Sequence, residues 1–118
     1  MRPPFGVPTA DAYRWVAESR AAAPPPASAF DPPATADDWL ATLARCHNDF
    51  EPVVAARHPE IADAVAALRD AGAVLAMMSG SGSAVFGLFD REDRAAHATD
   101  VLASRQGWRR WLTRTTAR

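Results

Sequence analysis

Ser79-Gly80-Ser81-Gly82-Ser83 sets three hydroxyls and two glycines in five consecutive positions. Glycine lets the backbone approach an anion closely, and successive N–H groups in such a turn can converge on phosphate oxygens. The same residues suit a hairpin turn that needs positive φ values, and spacing alone favours the turn. The stretch has no Gly-Lys-Ser/Thr ending, so it is not a Walker loop. A strand-like run follows it where a dinucleotide fingerprint would need a helix.

Metal chemistry finds less support. His47, His58, His97 and Cys46 show no i, i+4 or ligand-loop spacing, and His47 and Cys46 are sequence neighbours, which points their side chains in different directions. No metal site is expected, and no catalytic residue stands out. Asp90-Arg91-Glu92-Asp93-Arg94 is a mixed charge run of the kind that forms a solvated first helical turn, where acids suit the helix dipole. From Arg105 to Arg118 there are five Arg and no acid, with Trp108 and Trp111 interleaved. That composition fits a nucleic-acid patch or a closing strand burying alternate residues. With 13 basic residues against 14 acidic ones, the formal net charge is -1, and the strand is preferred. Neither nucleic acid nor a membrane surface is expected as a partner.

These residues need elements to hold them. Thr9 can cap a helix from about Ala10 to Arg20 with Tyr13, Val16 and Ala17 facing inward. The unpatterned stretch 21–28, with its three consecutive prolines, reads as an exposed loop. Thr35 and Asp38 have capping-box spacing ahead of Trp39, Leu40 and Leu43, which predicts a second helix. Asn48 and Glu51 repeat that spacing before a third, whose apolar side is Phe50, Val53 and Val54. Pro59, then Ile61, Ala64, Val65 and Leu68, then Gly72, describe a fourth. Residues 73–78 and 84–89 are short apolar runs on either side of the small-residue turn, which predicts a hairpin. Ala95, Ala98, Val101 and Leu102 give a last helix within 90–104, and Trp108 to Thr113 alternate as a final strand. Arg2 to Phe5 are extended because of Pro3 and Pro4. The expected fold class is α+β, a small antiparallel sheet with helices packed on one face.

Size and composition agree with one domain: 118 residues, 48% of them hydrophobic, are enough for one core. All the basic residues are Arg and more than a fifth of the chain is Ala, a compositional bias that makes Arg abundance weak support for phosphate binding. A lone Cys46 forms no internal disulfide, and the opening MRPPFGV lacks an apolar run of signal-peptide length, so a reducing, cytoplasmic setting is expected. No run approaches the roughly 20 apolar residues of a bilayer span, and a soluble chain is expected.

The local sequence is more specific than the spacing. Asn48-Asp49-Phe50-Glu51-Pro52, His58-Pro59-Glu60-Ile61 and Met78 to Phe89 together resemble the C-terminal part of a GHMP-type small-molecule kinase. Pro4 to Tyr13 is similar to the start of the same lobe, and Thr113-Arg114-Thr115 to its closing strand. Within the superfamily the likeness points to the branch that phosphorylates a cytidine-diphosphate-linked alcohol in non-mevalonate isoprenoid biosynthesis. The resemblance implies a ferredoxin-like α/β sandwich over 1–118, with the N-terminal ATP-binding lobe absent: the chain has neither a Lys nor a Gly-Leu-Gly-Ser-Ser loop. It also implies that Tyr13 stacks on the cytosine ring with Thr9 beside it as substrate-binding residues. Ser79, Gly80, Ser81, Gly82 and Ser83 would then be the superfamily's third motif, which braces the phosphate region. Asn48 and Asp49 match a family-typical pair that capping alone explains. ATP and Mg would serve the complete enzyme, with neither bound by this chain alone. Either the missing lobe or self-association would cover the face left open. The alternatives are a non-catalytic binding or partner module that keeps this fold, and the C-terminal lobe of another GHMP kinase.

Overall fold

A computed structural model describes residues 1–22 and 34–116. The expected loop at 21–28 therefore falls mostly outside the described residues, and its first two positions end a helix. Among the described residues five helices and one hairpin follow in the order α1 Thr9–Ala22, α2 Ala36–Leu43, α3 Phe50–Arg57, α4 Pro59–Asp70, β1 Leu75–Met78, β2 Val85–Leu88 and α5 Glu92–Val101. A short 3-10 turn, Leu102–Ser104, closes α5.

α4 is the central helix. Pro59 starts it where a missing N–H costs nothing, and Ile61, Ala64, Val65 and Leu68 form one fully buried stripe. Burying a side chain of this size stabilises by about 1.5–3 kcal/mol, and Ile61→Ala would remove about 2–5 kcal/mol. The C-terminus closes with the Ala73 N–H on the Leu68 carbonyl at 3.1 Å and the Gly72 N–H on that of Arg69 at 2.9 Å. Gly72 adopts the positive φ that this Schellman arrangement needs. α4 lies across both strands, α3 packs on α4 and β1, and α1 packs on α3. The strands are antiparallel, with Leu75 opposite Leu88 and Met78 opposite Val85. Val54, Ile61, Met78 and Val85 are the largest fully buried side chains of the core.

The α+β class therefore holds, with four differences of detail. Tyr13 and Ala17 do not face inward: Ala12 and Val16, four apart and set against α3, are the buried pair of α1, and Tyr13 is rotated out of that stripe to 62% exposure. Trp108 to Thr113 do not form a strand. That segment makes a single bridge, between Arg109 and Arg2 of the N-terminal stretch, outside the sheet, while Trp111 and Leu112 stay exposed. Side chains tie the tail instead, through Arg110 to the Thr99 carbonyl at 2.6 Å and an Arg114–Glu92 ion pair. Val101, expected on the inner face of α5, is also exposed, and Ala98 and Leu102 carry the burial. On α2 the Thr35 cap forms as expected, with its hydroxyl accepting from Asp38 N–H at 3.1 Å, yet Trp39 and Leu40 remain exposed. Among the described residues no helix is long and apolar enough to cross a membrane.

Candidate functional site

The hairpin tip is built by glycine. Gly80 has φ +54 and Gly82 φ +96, which a side chain rarely adopts. At Gly82 the space is filled as well, since a Cβ there would stand 3.0 Å from the Met78 sulfur. The turn is closed by Ser79 N–H on the Ala84 carbonyl at 2.8 Å and Gly82 N–H on the Ser79 carbonyl at 3.1 Å. Ser83 is buried and spends its hydroxyl on the Phe5 carbonyl at 2.7 Å, which makes it an anchor of the turn. Ser79 and Gly80 are exposed, and Ser81 is half-buried.

Helix α1 comes to this tip at its first residue. Its first turn closes on Pro8, whose carbonyl accepts from Ala12 N–H at 3.1 Å, so Thr9 is the first helical residue and not the cap. The Thr9 hydroxyl is left to face Ser81, with the two oxygens 3.4 Å apart. One turn further along, Tyr13 meets Phe50 edge to face, with ring centroids 4.9 Å apart and planes at 78°. Most of the Tyr13 ring remains open to solvent.

A groove of about 630 Å³ runs between these elements, lined by Tyr13, Val16, Arg20, His47, Asn48, Asp49, Phe50, Met77, Met78, Ser79, Gly80 and Phe86. Its rim carries a chain of charge: Asp49 accepts from Arg20 at 2.7 Å and lies 3.3 Å from His47. The capping box expected for α3 is not formed. The Asn48 carboxamide does accept from Phe50 N–H at 2.9 Å, but its nitrogen reaches away from the helix, donating to the carbonyls of Met78 and Gly80 at 2.8 Å each. Glu51 likewise turns outward and accepts from Met78 N–H at 2.7 Å.

Thr9, Tyr13 and the 79–83 turn, far apart in sequence, are thus brought to one side of the molecule. Arg20, Phe50 and Glu51 were not singled out for this region, and the local pattern of each is satisfied by an ordinary helical role. A flat, open ring on a polar-rimmed groove suits a ligand with a planar heterocycle. Among the described residues no group of three His, Cys, Asp or Glu side chains could hold a metal ion. A second cleft, about 740 Å³, lies between β2, α5 and the C-terminal tail and shares only Phe86 with the groove.

The chain is 44% identical over 106 residues to the 4-diphosphocytidyl-2-C-methyl-D-erythritol kinase of Parvibaculum lavamentivorans, covering 88% of this chain and 36% of that protein. It is 41% identical over 121 residues to the kinase of the same name from Methylobacterium radiotolerans, covering 98% and 40%. The corresponding kinase of Sinorhizobium medicae is 46% identical over 78 residues, covering 66% and 25%. The chain therefore spans between a quarter and two fifths of the length of these relatives. No solved structure matches it. The family model of the GHMP kinases C-terminal region matches residues 34–107, which take in α2 to α5 and the glycine-built turn, and the chain belongs to that family.

Proposed function

We propose that this chain is the substrate-side, C-terminal lobe of an ATP-dependent kinase that phosphorylates the 2-hydroxyl of 4-diphosphocytidyl-2-C-methyl-D-erythritol in non-mevalonate isoprenoid biosynthesis. Its groove holds the cytidine diphosphate end: the Tyr13 face takes the cytosine, Thr9 lies beside it, and the Ser79, Gly80, Ser81, Gly82 and Ser83 turn braces the phosphates. The observation that carries this is the open Tyr13 ring, supported on edge by Phe50, on a groove whose other wall includes Ser79 and Gly80 of that turn. Stacking suits a flat base and is worth about 1–3 kcal/mol per base.

Phosphoryl transfer is mostly positioning and charge stabilisation, so a lobe without a reacting group still contributes by fixing where the acceptor alcohol stands. ATP and Mg belong to the complete enzyme. The residues of this chain do not compose their site: Lys is lacking, Arg20 is already committed to Asp49, and no carboxylate cluster is present among the described residues.

Calorimetric titration of the 118-residue chain with cytidine 5′-diphosphate, uridine 5′-diphosphate and adenosine 5′-diphosphate tests the assignment. Saturable binding that prefers the cytidine nucleotide is expected, with no kinase turnover by the chain alone. Equal binding of all three, or of none, overturns it.

A further inference from the structure

We propose that the cleft between β2 and the C-terminal tail is a strand-docking site, which takes an extended polypeptide segment from outside these 118 residues. The segment runs antiparallel to β2 and carries apolar side chains at every second position. The site is separate from the nucleotide groove and stands whether or not that groove binds cytidine.

The two edges of the hairpin are treated differently. Backbone groups alternate in direction along a strand, so residues two apart face the same edge. On β1 the outward groups belong to Ala76 and Met78, and side chains close them. Arg69 donates to the Ala76 carbonyl at 3.2 Å, Asn48 donates to that of Met78 at 2.8 Å, and Glu51 accepts the Met78 N–H at 2.7 Å. On β2 the outward groups belong to Val85 and Gly87. Met1 meets Val85 in both directions, its amino group on the Val85 carbonyl at 2.7 Å and its own carbonyl on the Val85 N–H at 2.8 Å. Gly87 makes no such bond among the described residues. An edge left open in this way is a template for a further strand.

Arg2 pairs on its other side with Arg109, at 2.9 Å in both directions. Met1 and Arg2 therefore stand as two residues of a strand between β2 and the tail, and they set the width of the gap at one strand. Traced backwards from Met1, the line of that strand enters the cleft of about 740 Å³, with Phe86 to Phe89 on one wall and Arg110 to Thr115 on the other. The tail is held to α5 by Arg110 on the Thr99 carbonyl and by the Arg114–Glu92 pair, so it does not close onto β2. From 110 to 115 no backbone group is hydrogen-bonded among the described residues. Opposed residues share a face of a sheet. Val85 is buried and Met1, opposite it, packs on the same core, so a residue opposite Gly87 faces inward as well. There the cleft is floored by Leu68, Ala98 and Leu102, all buried and apolar. The residues between face outward, beside Phe86 and Trp111. Hence the alternation required of the occupant.

The unaltered chain is titrated with an acetylated and amidated heptapeptide of alternating valine and threonine, and its amide resonances are followed. Saturable binding is expected, with a shift and slowed hydrogen exchange at Gly87 and neither at Met78, whose edge is closed. The same peptide N-methylated on the amides that face β2 should bind about fivefold or more weakly, because the Gly87 carbonyl loses its donor while the side chains are unchanged. A nitroxide on the C-terminal end of the peptide should broaden Met1 and Val85, and one on its N-terminal end Phe89 and Thr115. Absence of saturable binding, undiminished binding of the N-methylated peptide, shifts that leave Gly87 unmoved, or the reversed nitroxide pattern each overturns the proposal. So does a dimer in sedimentation whose Gly87 amide is already protected and stays so on adding peptide, since a second copy would then be the occupant.

Discussion

Replacing Tyr13 with alanine separates a ligand platform from a structural ring. At 62% exposure the side chain leaves little buried area behind, and its one defined contact is the edge-on pair with Phe50 at 4.9 Å. Such a pair is worth about 0.5–1.5 kcal/mol. Alanine recovers up to about 0.7 kcal/mol of helix propensity at an exposed position inside α1. The net loss of stability is therefore below about 1 kcal/mol, which lowers the melting temperature by about 2–6 °C in a domain of this size. A buried aromatic ring would lose about 3–5 kcal/mol in the same substitution and melt well over 10 °C lower. Loss of a stacked base costs about 1–3 kcal/mol, so the dissociation constant for cytidine 5′-diphosphate should rise by about 5- to 150-fold. Tyr13→Phe should leave both quantities nearly unchanged, because the face of the ring and not its hydroxyl does the stacking. Thermal melts and calorimetric titrations of the three proteins supply the comparison. A drop of more than about 10 °C with unchanged nucleotide affinity refutes the platform, since it would place the ring in the core despite its exposure.

Gly82→Ala should destabilise the chain by about 1–2 kcal/mol in urea unfolding, because alanine is strained at φ +96 and its Cβ would meet the Met78 sulfur at 3.0 Å; an unchanged midpoint counts against this turn geometry. The Arg91 guanidinium, by hydrogen bond and charge, holds the Asp93 carboxyl below the usual carboxylate range. A folded-state value lower than the unfolded one of about 3.9 gives stabilisation that is present above that pH and is lost as pH falls through the folded value. Asp93→Asn should thus melt below the unaltered chain near pH 7 and together with it near pH 2, and a gap that persists in acid is the contrary result. Trp39 at 43% and Leu40 at 39% exposure form an open apolar face on α2, so concentration-dependent self-association is expected in sedimentation and should fall in a Trp39→Ser, Leu40→Ser double variant. A monomer at all concentrations would exclude it.

What the residue pattern revealed of the fold was what depends on near neighbours. α4 carries a proline, an i, i+3, i+4 stripe and a C-terminal glycine within 14 residues, and each signal has its cause inside the helix. The hairpin was legible for the same reason, since two apolar runs and a glycine turn determine one another. The inner face of α1 was not. Ala12 is fully buried yet too small to stand out in an alanine-rich chain, whereas Tyr13 has the size of a core residue and lies outside. The last strand failed on pairing: Trp108 to Thr113 alternate, but a strand also needs a partner edge, and only Arg109 finds one. Alternation reports which residues a strand would bury, and not whether a neighbouring backbone is there to hold it.

The groove divides along the same line. Thr9, Tyr13 and the 79–83 turn were picked out because their local sequence resembles a known lobe, and the fold brings them to one side. Asn48 and Glu51, though part of the same resemblance, were read as a capping pair, since that spacing already satisfies both side chains with partners three residues away. The decision between the two outcomes lies 27 to 32 residues later, where Met78 and Gly80 offer backbone groups that the capping reading does not know about. Once the hairpin packs on α3, the N–H and the carbonyl of the buried Met78 would be left without partners, at about 1–3 kcal/mol each. A helix N-terminus, by contrast, stays close to water, which can take over its N–H groups. The side chains therefore go where the unmet hydrogen bonds cost most. The turn that faces the groove is held by residues whose local pattern gave no sign of it.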